Sequence, residues 1–269
     1  MNPIGITSNF FRISTEANWE SVAEAGFENT EIVFMAEKGD EMLEEAQLRR
    51  KHAIACGLHI GSVHLPFNFD YDYSCLDPQK RKYALEQQRR YIQISAEWGV
   101  PIAVLHASSE PVMDSERKER FAHAADGIAD LSAVAKSAGI VLALEVLPRT
   151  CIGNTSSELQ ILTKNGTLTK VNMDFNHLMR ETQMEFIDKM AEHIVTTHLS
   201  DYDLIIEHHW APGVGKIQWK SCLDHMIDLG YTGQFLIEVH EEFAIPGKKA
   251  TPKDIMDLFL AARNGDKDQ

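Results

Sequence analysis

Eight times along this chain, a short apolar run rich in β-branched residues gives way to a longer stretch with helical periodicity. The runs fall at 3–7, 29–34, 59–64, 101–106, 139–145, 169–174, 193–199 and 234–239. Such alternation predicts parallel strands joined by helical crossovers. Amphipathic segments at 40–56, 79–98 and 116–137 supply crossovers. Gly26, Gly57, Gly99, Gly139 and Gly230 stand where a helix must end in a left-handed residue before the next strand. Spread over eight units, the chain allots about 33 residues to each, the size of one strand–helix repeat. A doubly wound sheet would place its chemistry on a Gly-rich first turn. Neither GxGxxG nor GxxxxGK[ST] occurs. The expected fold is α/β, a single (β/α)8 TIM barrel over residues 1–269, with 264–269 as a polar tail.

Charge narrows the partners. The 40 acidic residues outnumber 26 basic ones, for a formal net charge of −14. An acidic surface repels phosphate backbones, so no nucleic-acid partner is expected. Four scattered cysteines without CxxC spacing read as reduced thiols rather than disulfides or metal ligands. The first residues lack a signal-peptide pattern, and the apolar run at 139–147 is far too short to cross a bilayer. A soluble, cytoplasmic protein with no membrane partner is the expectation.

In a barrel, the C-terminal strand ends and the loops after them build the active site. Strand three ends at His64, four at His106, five at Glu145 and six at Asp174. Strands seven and eight end near His198 and Glu238. His177 lies three residues past Asp174, and Glu207 and His209 fall in the loop after strand seven. Each residue alone reads as a hydrogen-bonded structural group. Together they would bury several carboxylates, which is costly unless a cation compensates. Three carboxylates and one imidazole suit Mn²⁺, Co²⁺ or Mg²⁺, and further imidazoles shift the preference towards Zn²⁺.

The segments SVHLPF, VLHAS, LALEVLPR, NMDFNH, TTHLSD, HHWAPGVGKIQW and FLIEV resemble the successive motifs of the xylose isomerase-like superfamily. The resemblance covers strands three to eight. In the first 55 residues only AGFENTEI is similar. Within the superfamily the chain looks most like the ketose 3-epimerases. Their EVxNR motif is matched by Glu145 to Arg149 with Pro148 replacing Asn, and their metal Asp and following His by Asp174 and His177. The resemblance implies that Glu145, Asp174, His198 and Glu238 hold the metal. It further implies that Glu145 and Glu238 exchange a proton at the substrate carbon, while Arg149 and His177 contact substrate oxygens. His64, His106, His209 and Trp210 complete the expected substrate contacts, and Phe10, Phe67 and Phe243 offer further aromatic faces. The substrate class is a small carbohydrate, and homo-oligomers are common among such enzymes. A metal acting as Lewis acid would make the proton next to a carbonyl removable, and two carboxylates could move it.

Two departures bear on the substrate. An Arg usual in these epimerases before the Pro-Gly turn is replaced at or beside His209. Thr150-Cys151 stands where they carry a Glu. Inosose dehydratases and isomerases share the same metal set. The chain also matches the nine ligands of endonuclease IV-like multi-zinc phosphodiesterases: His64, His106, Glu145, Asp174, His177, His198, Glu207, His209 and Glu238. There Glu207 replaces Asp. The acidic balance argues against that reading. A non-catalytic sugar-binding barrel would expect degraded metal positions, and none of the four is degraded.

Overall fold

The computed structural model describes residues 2–164, 166 and 169–266. Eight parallel strands close into a barrel in chain order, β1 pairing with both β2 and β8. They are β1 (Ile4–Thr7), β2 (Asn29–Val33), β3 (His59–His64), β4 (Ile102–Leu105), β5 (Val141–Glu145), β6 (Thr169–Asp174), β7 (Ile194–Leu199) and β8 (Phe235–Ile237). All eight expected strands form. β2 and β4 end one residue early and β8 two, so His106 and Glu238 stand just past β4 and β8. Strand residues such as Ile6, Ile32, Val104, Leu142, Met173 and Leu236 are wholly buried, because helices cover the outer face while side chains fill the inside.

One helix follows each strand: α1 (Glu16–Glu24), α2 (Met42–Ala55), α3 (Pro78–Glu97), α4 (Asp114–Ala138), α5 (Ser156–Thr163), α6 (Gln183–Met190), α7 (Trp219–Asp228) and α8 (Pro252–Asn264). Local sequence sets their limits. The Asp77 carboxylate caps α3 from the residue before Pro78. Thr251 and Asp254 form a reciprocal capping box on α8. At the other end of α4, Gly139 adopts φ 73° and returns its N–H to Ala135 and Lys136. The other four glycines expected to stop helices also take positive φ. Residues 267–269 of the expected polar tail lie outside the described residues. No helix among the described residues is long and apolar enough to cross a membrane.

The long loop after β7 is shaped by one buried carboxylate. Asp201 accepts from the backbone N–H of Tyr202, Gly213 and Ile217 and from Trp219 Nε1, at 2.8–3.1 Å. Those bonds fold residues 202–218 back over the barrel mouth, carrying Glu207 and His209 with them.

Candidate metal centre and active site

The acidic strand ends meet at the C-terminal mouth. Glu145 closes β5 and sits at the centre of the cluster. Its Oε2 lies 3.2 Å from His64 Nε2, 3.6 Å from His106 Nε2 and 3.3 Å from His198 Nδ1, and its Oε1 lies 3.1 Å from His177 Nδ1. Asn172, two residues before the end of β6, donates to the same carboxylate at 3.2 Å. Asp174 anchors one oxygen on the backbone N–H groups of Asn176 and His177. His198 Nδ1 lies 3.3 Å from Glu238 Oε2 and 3.8 Å from Asp174 Oδ2.

Three of these atoms are buried without a hydrogen-bond partner: Asp174 Oδ2, His198 Nδ1 and Glu238 Oε2. They lie within 4.8 Å of one another. Oxygen and nitrogen ligands about 2.1 Å from a shared ion stand at most about 4 Å apart, and the separations of 3.3 and 3.8 Å from His198 Nδ1 fall within that limit. Without a cation the carboxylates are balanced by protons instead: burial lowers the His198 imidazole, but Glu238, Glu31 and Glu145 outweigh it and raise it well above its ordinary range. Glu145 joins this group through His198 and through a second triad with Asp174 and His177. The donor set fits a hard or borderline divalent ion.

Titration follows the same geometry. Burial pushes the Asp174 carboxyl up to about 7, with Glu238 and Glu145 adding to the rise and His177 and His198 opposing it. Burial also raises Glu145, but the neighbouring His198 and His106 outweigh it and hold the carboxyl well below the carboxylate range. His106 is pulled down by burial, which Glu145 only partly offsets.

A cavity of about 310 Å³ opens over the centre, and Glu145, Glu238, His64, His106, His177 and His209 all reach it. Phe67 forms part of its wall and packs its ring 4.2 Å from His106 and 4.9 Å from His64. The other expected aromatic faces lie elsewhere. Trp210 stacks on His208 at 3.9 Å and does not line the cavity. Phe10 and Phe243 line a separate cleft beside β1 and β8. Cys151 reaches the cavity, but burial pushes its thiol up to about 12, which leaves it a poor nucleophile.

Arg149 spans the rim with φ 48°. Its Nε donates to both oxygens of Glu110 at 2.9 and 3.0 Å, its Nη2 returns to Glu110, and its Nη1 meets Glu207. The other Glu207 oxygen accepts from His209 Nε2 at 3.0 Å. Burial lowers the His209 imidazole, but the Glu207 bond and the nearby carboxylates win and raise it to about 8.

One buried carboxylate escaped the sequence reading. Glu31 lies inside β2, fully buried, with Ser62 and His198 against its two oxygens. The signal was present as a lone acid within the apolar run TEIVF, where a buried charge needs a partner.

The family described as xylose isomerase-like TIM barrel matches residues 19–260. The chain belongs to that family. Among characterised relatives of this xylose isomerase-like barrel, L-ribulose-5-phosphate 3-epimerase UlaE of Shigella boydii serotype 18 is 24% identical over 230 residues. That match spans 81% of this chain and 80% of the relative. The barrel superposes on a D-tagatose 3-epimerase-like protein with TM-score 0.79 at 22% identity, covering 99% of both chains. It superposes on D-psicose 3-epimerase from Clostridium cellulolyticum H10, solved with D-tagatose, with TM-score 0.78 at 19% identity. That match covers 98% of this chain and 97% of the other.

Proposed function

We propose that this chain is a divalent-metal-dependent carbohydrate epimerase or isomerase that moves a proton next to a carbonyl. The observation that carries the reading is the convergence of unpaired ligand atoms from Asp174, His198 and Glu238, with Glu145 adjoining, beside a cavity that both glutamates line. These four residues would hold Mn²⁺, Co²⁺ or Mg²⁺. When bound, the cation supplies Lewis-acid stabilisation of the negative charge that develops on the substrate's carbonyl oxygen. Glu145 and Glu238 serve as the acid–base pair, one removing the carbon-bound proton and the other returning it. His64, His106, His177 and His209 present imidazole nitrogens to substrate hydroxyls, while Phe67 offers an apolar face to the sugar. Arg149 acts on the substrate from the rim, where Glu110 and Glu207 hold its guanidinium in place. The names of the relatives, two 3-epimerases and a 3-epimerase-like protein, support this class of chemistry.

The test is exchange with solvent. Incubated with Mn²⁺ in D₂O, the chain should place deuterium at the carbon beside the carbonyl of at least one member of a panel of ketoses, ketose phosphates and inososes. Absence of exchange across the whole panel would sink the reading.

A multi-zinc phosphodiesterase is the second reading. Two further ligand groups favour it, His64–His106–Glu145 and His177–Glu207–His209. Against it, the Arg149 guanidinium already neutralises Glu207, the carboxylate that a third cation would need. Elemental analysis separates the two: about one ion per chain supports the epimerase, and two or three Zn²⁺ support the hydrolase.

A further inference from the structure

A line of hydrogen bonds runs up the inside of the barrel from its N-terminal end to the metal centre. Asn29 Nδ2 donates to Gln234 Oε1 at 3.0 Å. Gln234 Nε2 donates onward to Ser62 Oγ at 3.0 Å and to Thr196 Oγ1 at 3.2 Å. The Ser62 hydroxyl spends its single proton on Glu31 Oε2 at 2.7 Å. The other oxygen, Glu31 Oε1, lies 3.0 Å from His198 Nε2. Glu31, Ser62, Thr196 and His198 are all fully buried, so none of these groups can turn to water instead.

The direction of donation matters. Every upstream member donates towards Glu31, and an ionised carboxylate can only accept. His198 must therefore carry a proton on Nε2. Where a cation takes the place of the second ring proton, the lone pair is on Nδ1, and Nδ1 is the atom that faces Asp174, Glu145 and Glu238 without a hydrogen bond. We infer that Glu31 is a positioning residue. It fixes the tautomer and ring orientation of His198, so that Nδ1 is presented to the cation. Ligating imidazoles commonly rely on such a carboxylate behind them, and its loss costs about 10–100-fold in metal affinity.

This inference rests on the metal set proposed above, and Co²⁺ binding tests the two separately. The full-length chain, stripped of metal, is titrated with Co²⁺ alone while its visible absorption is followed. Glu31→Gln keeps the shape but places an amide against His198 Nε2. It should bind Co²⁺ about 10–100-fold more weakly and show an altered spectrum, with circular dichroism unchanged. An affinity within twofold of wild type and an identical spectrum would overturn the role of Glu31 while leaving the metal set standing. If the wild-type chain binds no Co²⁺, the metal set itself fails. Should the variant not fold, the tautomer is read in the wild-type chain instead, by long-range ¹H–¹⁵N correlation of Mg²⁺-loaded protein, with His198 assigned from a His198→Gln variant. A proton on Nε2 supports the inference, and a proton on Nδ1 overturns it.

Discussion

Glu238 carries two duties in the proposed site, and they separate under substitution. Glu238→Gln retains an oxygen for the cation but removes the base, so kcat should fall by about 10²–10⁴ while the fold persists. Full retention of kcat in steady-state assays would remove Glu238 from the chemistry. Asp174 gives a pH signature. In the metal-free fold its carboxyl titrates near 7, against 3.8 for an ordinary aspartate. Between those values the folded chain holds a proton that the unfolded chain has lost, so metal-free stability declines as pH rises through that window. A cation displaces that proton, and affinity should therefore strengthen as pH rises through about 7. The Tm gain from added Mn²⁺ should be larger at pH 8 than at pH 6, and an equal gain would count against Asp174 as a ligand. His64, Glu145, Asp174 and His198 were legible because each stands at or beside the end of an apolar run, where a polar residue is conspicuous. Glu31 sits mid-strand, and its meaning depends on a partner 167 positions away.

Strand positions followed from periodicity, since a strand buried on both faces has to be an apolar run. The loops did not follow. Arg149 and His209 take positive φ without being glycine. Ionic and hydrogen-bonded partners from other loops surround both side chains, and no local pattern encodes those partners. Two substitutions probe such elements. Asp201→Ala strips the acceptor from three donors in the loop after β7 and from Trp219 at the start of α7, and should cost about 3 kcal/mol, read by urea unfolding. A loss under 1 kcal/mol would show that the loop has other supports. Gly61 leaves room for Gln234, whose Oε1 would stand 2.1 Å from an added Cβ. Gly61→Ala should therefore displace the glutamine from the barrel floor and lower Tm by several degrees, whereas an unchanged Tm would mean that β3 can shift to accommodate it.

Barrel closure joins the two ends of the chain, because β1 pairs with β8 across more than 230 residues of sequence. The proposed cation would join β5, β6, β7 and the end of β8 in the same way, and should stabilise the entire fold. At about 100 times its Kd a bound ion contributes about 2.7 kcal/mol, or about 5–10 °C in Tm for a chain of this length. Calorimetry before and after chelation checks this, and an unchanged Tm would mean that the ligand atoms do not bind a cation together. The TM-scores near 0.8 at identities near 20% show how far sequence can drift while this closure is kept.

The loops of a (β/α)8 barrel are often treated as exchangeable parts on a fixed frame. Here one guanidinium, Arg149, ties the loop after β5 to Glu110 after β4 and to Glu207 after β7. These three loops are tied into a single ionic unit. Grafting one of them from a relative strands the charges of the other two, so new substrate preferences on this scaffold have to arise by concerted change. A library that randomises the β5 loop alone should yield mostly inactive mouths, while one that varies residues 110, 149 and 207 together should recover function.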